Sequence, residues 1–147
     1  MSNFIDMIDF HSMIATYNLE VSDSMKNASN TEINNCYNGC GADWMPTWSR
    51  VAIDEVVRLF RGAIAVHDWD FSHSDGTLKS FDLANARFWR NMKKIINYLY
   101  SYWNIFDYPN IIRQLSKART LYRFVDLLGW KAWVDAFNTN QMLNTAV

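Results

Sequence analysis

A chain of 147 residues is long enough for one domain to bury a core without metals or disulfides, so a single domain over residues 1–147 is expected. Fourteen Lys and Arg against fifteen Asp and Glu leave no basic excess of the kind that holds a phosphate backbone. That balance excludes nucleic acid from the expected partners and provides no general pull toward anionic membranes.

Cys36 and Cys40 are too few for the disulfide framework of a small secreted domain. They read as reduced thiols, with a strained loop disulfide as the open alternative, and no His pair accompanies them to make a zinc site. The segment from Met1 to Tyr17 carries Asp6 and Asp9 and no early base, the wrong pattern for a secretory signal. No stretch approaches the roughly 20 apolar residues of a membrane span. A soluble protein in a cytosolic setting is expected, with any lipid contact peripheral. Seven Trp, seven Tyr and nine Phe suit a packed helical core and also an interface with membrane or protein.

In chain order, Ile5, Ile8 and Met13 predict a short amphipathic helix over residues 3–16. From Asn18 to Met45 the chain is rich in Asn, Ser, Asp and Gly, whose local side-chain hydrogen bonds favour loop. After Pro46, Ile53, Val57, Phe60, Ile64, His67 and Phe71 recur at steps of three and four, predicting a helix that ends near Ser72. Ser74-Asp75-Gly76 is turn chemistry. A second long helix carries Phe81, Asn85, Phe88, Met92, Ile95 and Leu99 in one stripe, and the short turn predicts antiparallel packing. Tyr108-Pro109 interrupts the pattern, Ile111 to Leu128 resumes it, and Gly129 is a C-cap candidate before a last helix from Trp130 to Phe137. The fold class is mostly α, with two long antiparallel helices and further C-terminal helices over about 107–138.

Each long helix has one polar residue on its apolar stripe, His67 on the first and Asn85 on the second. An unpartnered buried polar group costs roughly 1–3 kcal/mol, so the two are expected to pair. A structural His–Asn hydrogen bond in the core is the plain reading of that pair. Asp68 lies about 100° round the helix from His67 and needs a different partner. Upstream, Cys36-Tyr37-Asn38-Gly39-Cys40-Gly41 spaces two glycines so that the backbone can curl and direct carbonyl oxygens inward. Calcium takes about six to eight oxygens, carbonyls and carboxylates among them.

Tyr37-x-Gly39-x-Gly41, then His67-Asp68 late in a helix, then Asn85 and Phe88 on a second helix, resemble the phospholipase A2 superfamily. The likeness is to its compact, disulfide-poor forms in parvovirus capsid proteins and small phage and bacterial proteins. It covers about residues 36–92. The resemblance implies that the main-chain carbonyls of Tyr37, Gly39 and Gly41 and the carboxylate of Asp68 bind Ca2+. It also implies that His67 is the general base that draws a proton from water for attack on the sn-2 ester of a glycerophospholipid, at a phospholipid or membrane surface.

Two residues depart from that pattern. Asn85 stands where the family has the Asp that orients the His, and Phe71 stands where it has the Tyr that serves that Asp. Asp82, one turn before Asn85, is a candidate substitute. Trp44, Trp48 and Trp69 surround the motif and would suit a rim resting on lipid, with core packing as the alternative. Arg113, Lys117, Arg119 and Arg123 give the third long helix a basic side, read as a solvated face. Two functions follow: calcium-dependent phospholipid hydrolysis, or a member of the fold with reduced catalysis that serves as a structural or binding module of a phage or its host.

Overall fold

The computed structural model describes residues 7–37 and 55–146, and among them every regular element is helical. Helix α1 (Phe10–Tyr17) starts at Asp9, whose carboxylate accepts from the Ser12 amide at 3.0 Å, and stops at Asn18 in the left-handed conformation. Of the helix expected over residues 3–16, residues 7–9 are not helical, and residues 3–6 lie outside the described residues.

The stretch expected to be loop contains two short helices, α2 (Asp23–Lys26) and α3 (Asn30–Cys36). Ser22 caps the first. Ser29 and Glu32 form a reciprocal capping box on the second, satisfying amides that a short helix otherwise leaves exposed. Buried Met25 and Ile33 then anchor both to the core.

Residues 55–59 are helical, and the chain turns at Phe60 before α4 (Arg61–Ser72). All residues of α4 from Gly62 to Asp70 are buried, which small side chains allow: a methyl added at Gly62 would lie 3.0 Å from Leu19 Cδ1. The turn that follows is built on Asp75, which accepts from the Thr77 amide (2.9 Å), the Thr77 hydroxyl (2.8 Å) and the Ser80 hydroxyl (2.6 Å). Gly76 takes a φ of 73° there, and Thr77 caps α5 (Leu78–Leu99).

Contacts between α4 and α5 run in opposite chain directions, Phe71 meeting Phe81 while His67 meets Phe88, so the two helices are antiparallel. Phe81, Asn85, Phe88, Met92 and Ile95 of the α5 stripe are buried. Leu99 is not; it is 43% exposed at the helix end.

After a short 3-10 turn (Ile105–Asp107) comes one continuous helix, α6 (Tyr108–Thr145), with Pro109 in its first turn. Two helices separated at Gly129 were expected, and the glycine instead lies inside α6. A methyl there would stand 3.2 Å from Phe71 Cζ and 3.4 Å from Phe81 Cε2, so it is close packing against the α4–α5 hairpin that selects glycine. Along its length α6 touches the hairpin repeatedly: Tyr122 against Trp89 at 5.7 Å, Trp133 against Phe71 at 5.0 Å, and Asn140 donating to the Ser72 carbonyl at 2.9 Å.

Candidate functional site

His67 and Asn85 meet in the core, with His67 Nε2 3.1 Å from Asn85 Oδ1. The imidazole lies between two rings, Phe71 at 4.2 Å and Phe88 at 4.6 Å. Burial in this apolar sandwich lowers the pKa of His67 from 6.5 to about 4, against a smaller upward pull from Asn85, so the ring is neutral near pH 7. Its other nitrogen, Nδ1, is buried and has no hydrogen-bond partner among the described residues. Phe71, which lacks the hydroxyl of a tyrosine, supplies one wall of the sandwich and carries no polar group toward Asn85.

Asn85 has a second contact. Its Nδ2 donates to Asp126 Oδ1 on α6 at 3.1 Å, so three residues on three helices form one polar chain. Asp82, the residue expected to stand in for the absent family Asp, is exposed on α5. Its position one turn earlier turns it away from the buried stripe that holds Asn85. Asp126 was missed although it carries a sequence signal: it is the only acid between Tyr108 and Trp130, in a stretch otherwise basic.

Asp68 is buried on a different side of α4 from His67. Ser72, four residues on and hence on the same face as Asp68, donates to Cys36 Sγ at 3.3 Å, and Cys36 is a free thiol. Ser72 thus ties the C-terminal end of α4 to the last residue of α3. Tyr37 is extended (φ −71°, ψ 115°) and packs its ring on Phe10. The described residues contain no group of three or more His, Cys, Asp or Glu side chains placed for a metal, and the calcium site expected from the sequence draws on main-chain carbonyls beside Asp68. Of the residues expected to provide them, Tyr37 is described, whereas Gly39 and Gly41 lie outside the described residues, as do Cys40, Trp44 and Trp48.

A second polar pair, also missed, joins the same helices. Asp70 and Arg87 form an ion pair at 2.6 Å. Burial pushes the Asp70 carboxyl above its ordinary range, and the Arg87 guanidinium, with a smaller contribution from His73, draws it back only in part. The pair borders a cleft of about 230 Å3 lined also by Ser24, His73, Ser80 and Trp133. Trp69 is 5% exposed, donates through Nε1 to Ser24 Oγ at 3.0 Å and stacks on His73 at 4.1 Å, so it belongs to the core and not to a lipid rim. Asn91, fully buried, clamps the backbone of Glu20 through two 2.8 Å hydrogen bonds.

No protein-family model, curated protein or solved structure matches this chain. The likeness to phospholipase A2 therefore stands on the motif residues.

Proposed function

We propose that this protein is a phospholipase A2-like, calcium-assisted hydrolase of phospholipid esters in which His67 activates water. The observation that carries the reading is the asymmetry of His67: Nε2 is held by Asn85 Oδ1 while the buried Nδ1 has no partner among the described residues. With its Nε2–H donated to the amide oxygen, the ring keeps a lone pair on Nδ1, the requirement for a general base. Asn85 orients that ring but brings no full negative charge to an imidazolium, so turnover below that of an Asp-supported site is expected. Asp68 and the carbonyls of Tyr37, Gly39 and Gly41 would hold the calcium ion. Bound there, calcium would supply electrostatic stabilisation of the oxyanion.

Peripheral lipid contact is supported by the turn between α5 and α6. Tyr102, Trp103, Ile105, Phe106 and Tyr108 are exposed there, Trp103 by 97%, and such residues partition to the membrane interface. No helix among the described residues is long and apolar enough to cross a membrane.

A fatty-acid release assay on mixed phospholipid vesicles with calcium tests the reading. Release by wild type, its loss in His67→Gln, and a raised calcium requirement in Asp68→Asn are expected. No release by wild type, or a full rate in His67→Gln, removes it.

A second reading is favoured by the enclosure of His67 between Phe71 and Phe88 and by the two departures at positions 71 and 85. In it the fold is a binding or structural module, and calcium binding without hydrolysis is the expected result.

A further inference from the structure

We infer that Asp126 is a positioning residue: acting through the Asn85 side chain, it sets which nitrogen of His67 carries the proton. The polarity of the chain is set at its surface end, where Asp126 is exposed. A carboxylate only accepts hydrogen bonds, so the end of the Asn85 amide that faces Asp126 must be the NH2, as the 3.1 Å Nδ2 to Oδ1 contact has it. A planar amide has its oxygen on the other side. The oxygen therefore faces His67, 3.1 Å from Nε2. An amide oxygen also only accepts, so Nε2 must donate and is protonated. A neutral imidazole carries one proton, which leaves Nδ1 bare.

Without Asp126, nothing described around Asn85 distinguishes the two ends of its amide. Rotation by 180° would turn the NH2 toward His67, make Nε2 the acceptor and move the proton to Nδ1. Asp126 lies on α6, outside the segment that carries the likeness to phospholipase A2, and it supplies through one intervening amide the negative charge that position 85 lacks. Asp82 does not take this place: both acids are exposed, but it is Asp126 that accepts from Asn85 Nδ2. The tautomer assignment stands on the hydrogen-bond geometry of a ring that burial keeps neutral. Its consequence for catalysis rests on the hydrolysis proposed above.

Nitrogen NMR on 15N-histidine-labelled protein at pH 7 tests it without reference to activity. Wild type is expected to show His67 with a pyrrole-type Nε2 and a pyridine-type Nδ1, and, in uniformly 15N,13C-labelled protein, a coupling across the hydrogen bond from Asn85 Nδ2 to the Asp126 carboxyl carbon. Asp126→Ala is expected to yield a mixture of tautomers, or exchange of the Nε2 proton with solvent at least about tenfold faster as its acceptor loosens. Asp126→Glu is expected to restore the wild-type pattern. A wild-type ring protonated on Nδ1, or an Asp126→Ala protein with unchanged tautomer and exchange, overturns the inference. If Asp126→Ala does not fold, the wild-type tautomer and the cross-bond coupling still decide the matter.

In the vesicle assay Asp126→Ala should lower kcat by about tenfold at unchanged KM, well short of the ~10⁴ that an Asp→Asn change costs a serine protease. Absence of hydrolysis by wild type would end the enzymatic reading and leave the NMR result to judge Asp126.

Discussion

Two polar pairs cross the interface between α4 and α5 within a turn of each other, and they meet burial in opposite ways. His67–Asn85 is enclosed by aromatic rings and is neutral, because burial penalises the imidazolium and the partner the ring meets is an uncharged amide. Asp70–Arg87 borders a cleft and is ionic, because a guanidinium stands 2.6 Å from the carboxylate. The depth of a titratable group does not by itself decide its state. What decides it is whether a matched charge can be brought to hydrogen-bond distance, since desolvation alone drives a group to its neutral form.

The largest effect expected from this contrast is one of pH. The folded pKa of His67, about 4, lies below its unfolded value near 6.5, so between those values the unfolded chain binds more protons. The stabilisation is complete above pH 6.5 and is lost as pH falls toward 4. It amounts to roughly 3 kcal/mol at 1.36 kcal/mol per unit. Urea unfolding of metal-free protein across this range should display the loss, and His67→Gln should flatten it. Equal pH slopes in the two proteins would break the contrast.

Next comes Arg87→Ala, which leaves Asp70 buried without its cation. About 2 kcal/mol of destabilisation is expected by urea titration, reduced from the value for fully buried pairs because Arg87 is partly solvated. Replacing both partners with Leu and Met should recover most of it, as a pair of apolar groups has no charge to compensate.

Asn85→Asp sharpens the comparison further. It restores the residue type of the family but places a second carboxylate beside Asp126, at the 3.1 Å contact now made by the amide. A loss of about 1–2 kcal/mol is expected from the like charges, and Asp126→Asn added to it should return stability. Gain of stability in Asn85→Asp alone would contradict the chain of hydrogen bonds. The smallest effect belongs to Asp82→Asn. Being exposed, it should change stability by less than about 0.5 kcal/mol and leave the His67 tautomer as it was.

Much of the helical frame is legible in the residues. The stripes on α4 and α5 place one polar residue each in an apolar row, and the cost of leaving either alone is enough to foretell that His67 and Asn85 meet. Ser74-Asp75-Gly76 announces its turn. Other features depend on tertiary contact or on caps that are easily overlooked. Ser29-x-x-Glu32 is a helix-start signature inside a stretch whose composition reads as loop, and a helix as short as α3 has too few turns to show periodicity. Gly129 has the residue type of a helix end, yet Phe71 and Phe81, far away in sequence, make it a point of close approach within a helix. Asp126 sits at the flank of its stripe beside buried Val125, where periodicity cannot tell a solvated acid from one that caps a buried amide.

That the chain from His67 closes on α6 also orders its assembly in time. The α4–α5 hairpin is local and can pair as soon as Leu99 has been synthesised, but the acceptor for Asn85 Nδ2 does not exist until the ribosome has passed Asp126. Until then the amide is free to face either way and the imidazole can hold its proton on either nitrogen. A nascent chain halted before α6 would hold the residues of the candidate site without their final polarity, and the last helix to emerge would set it.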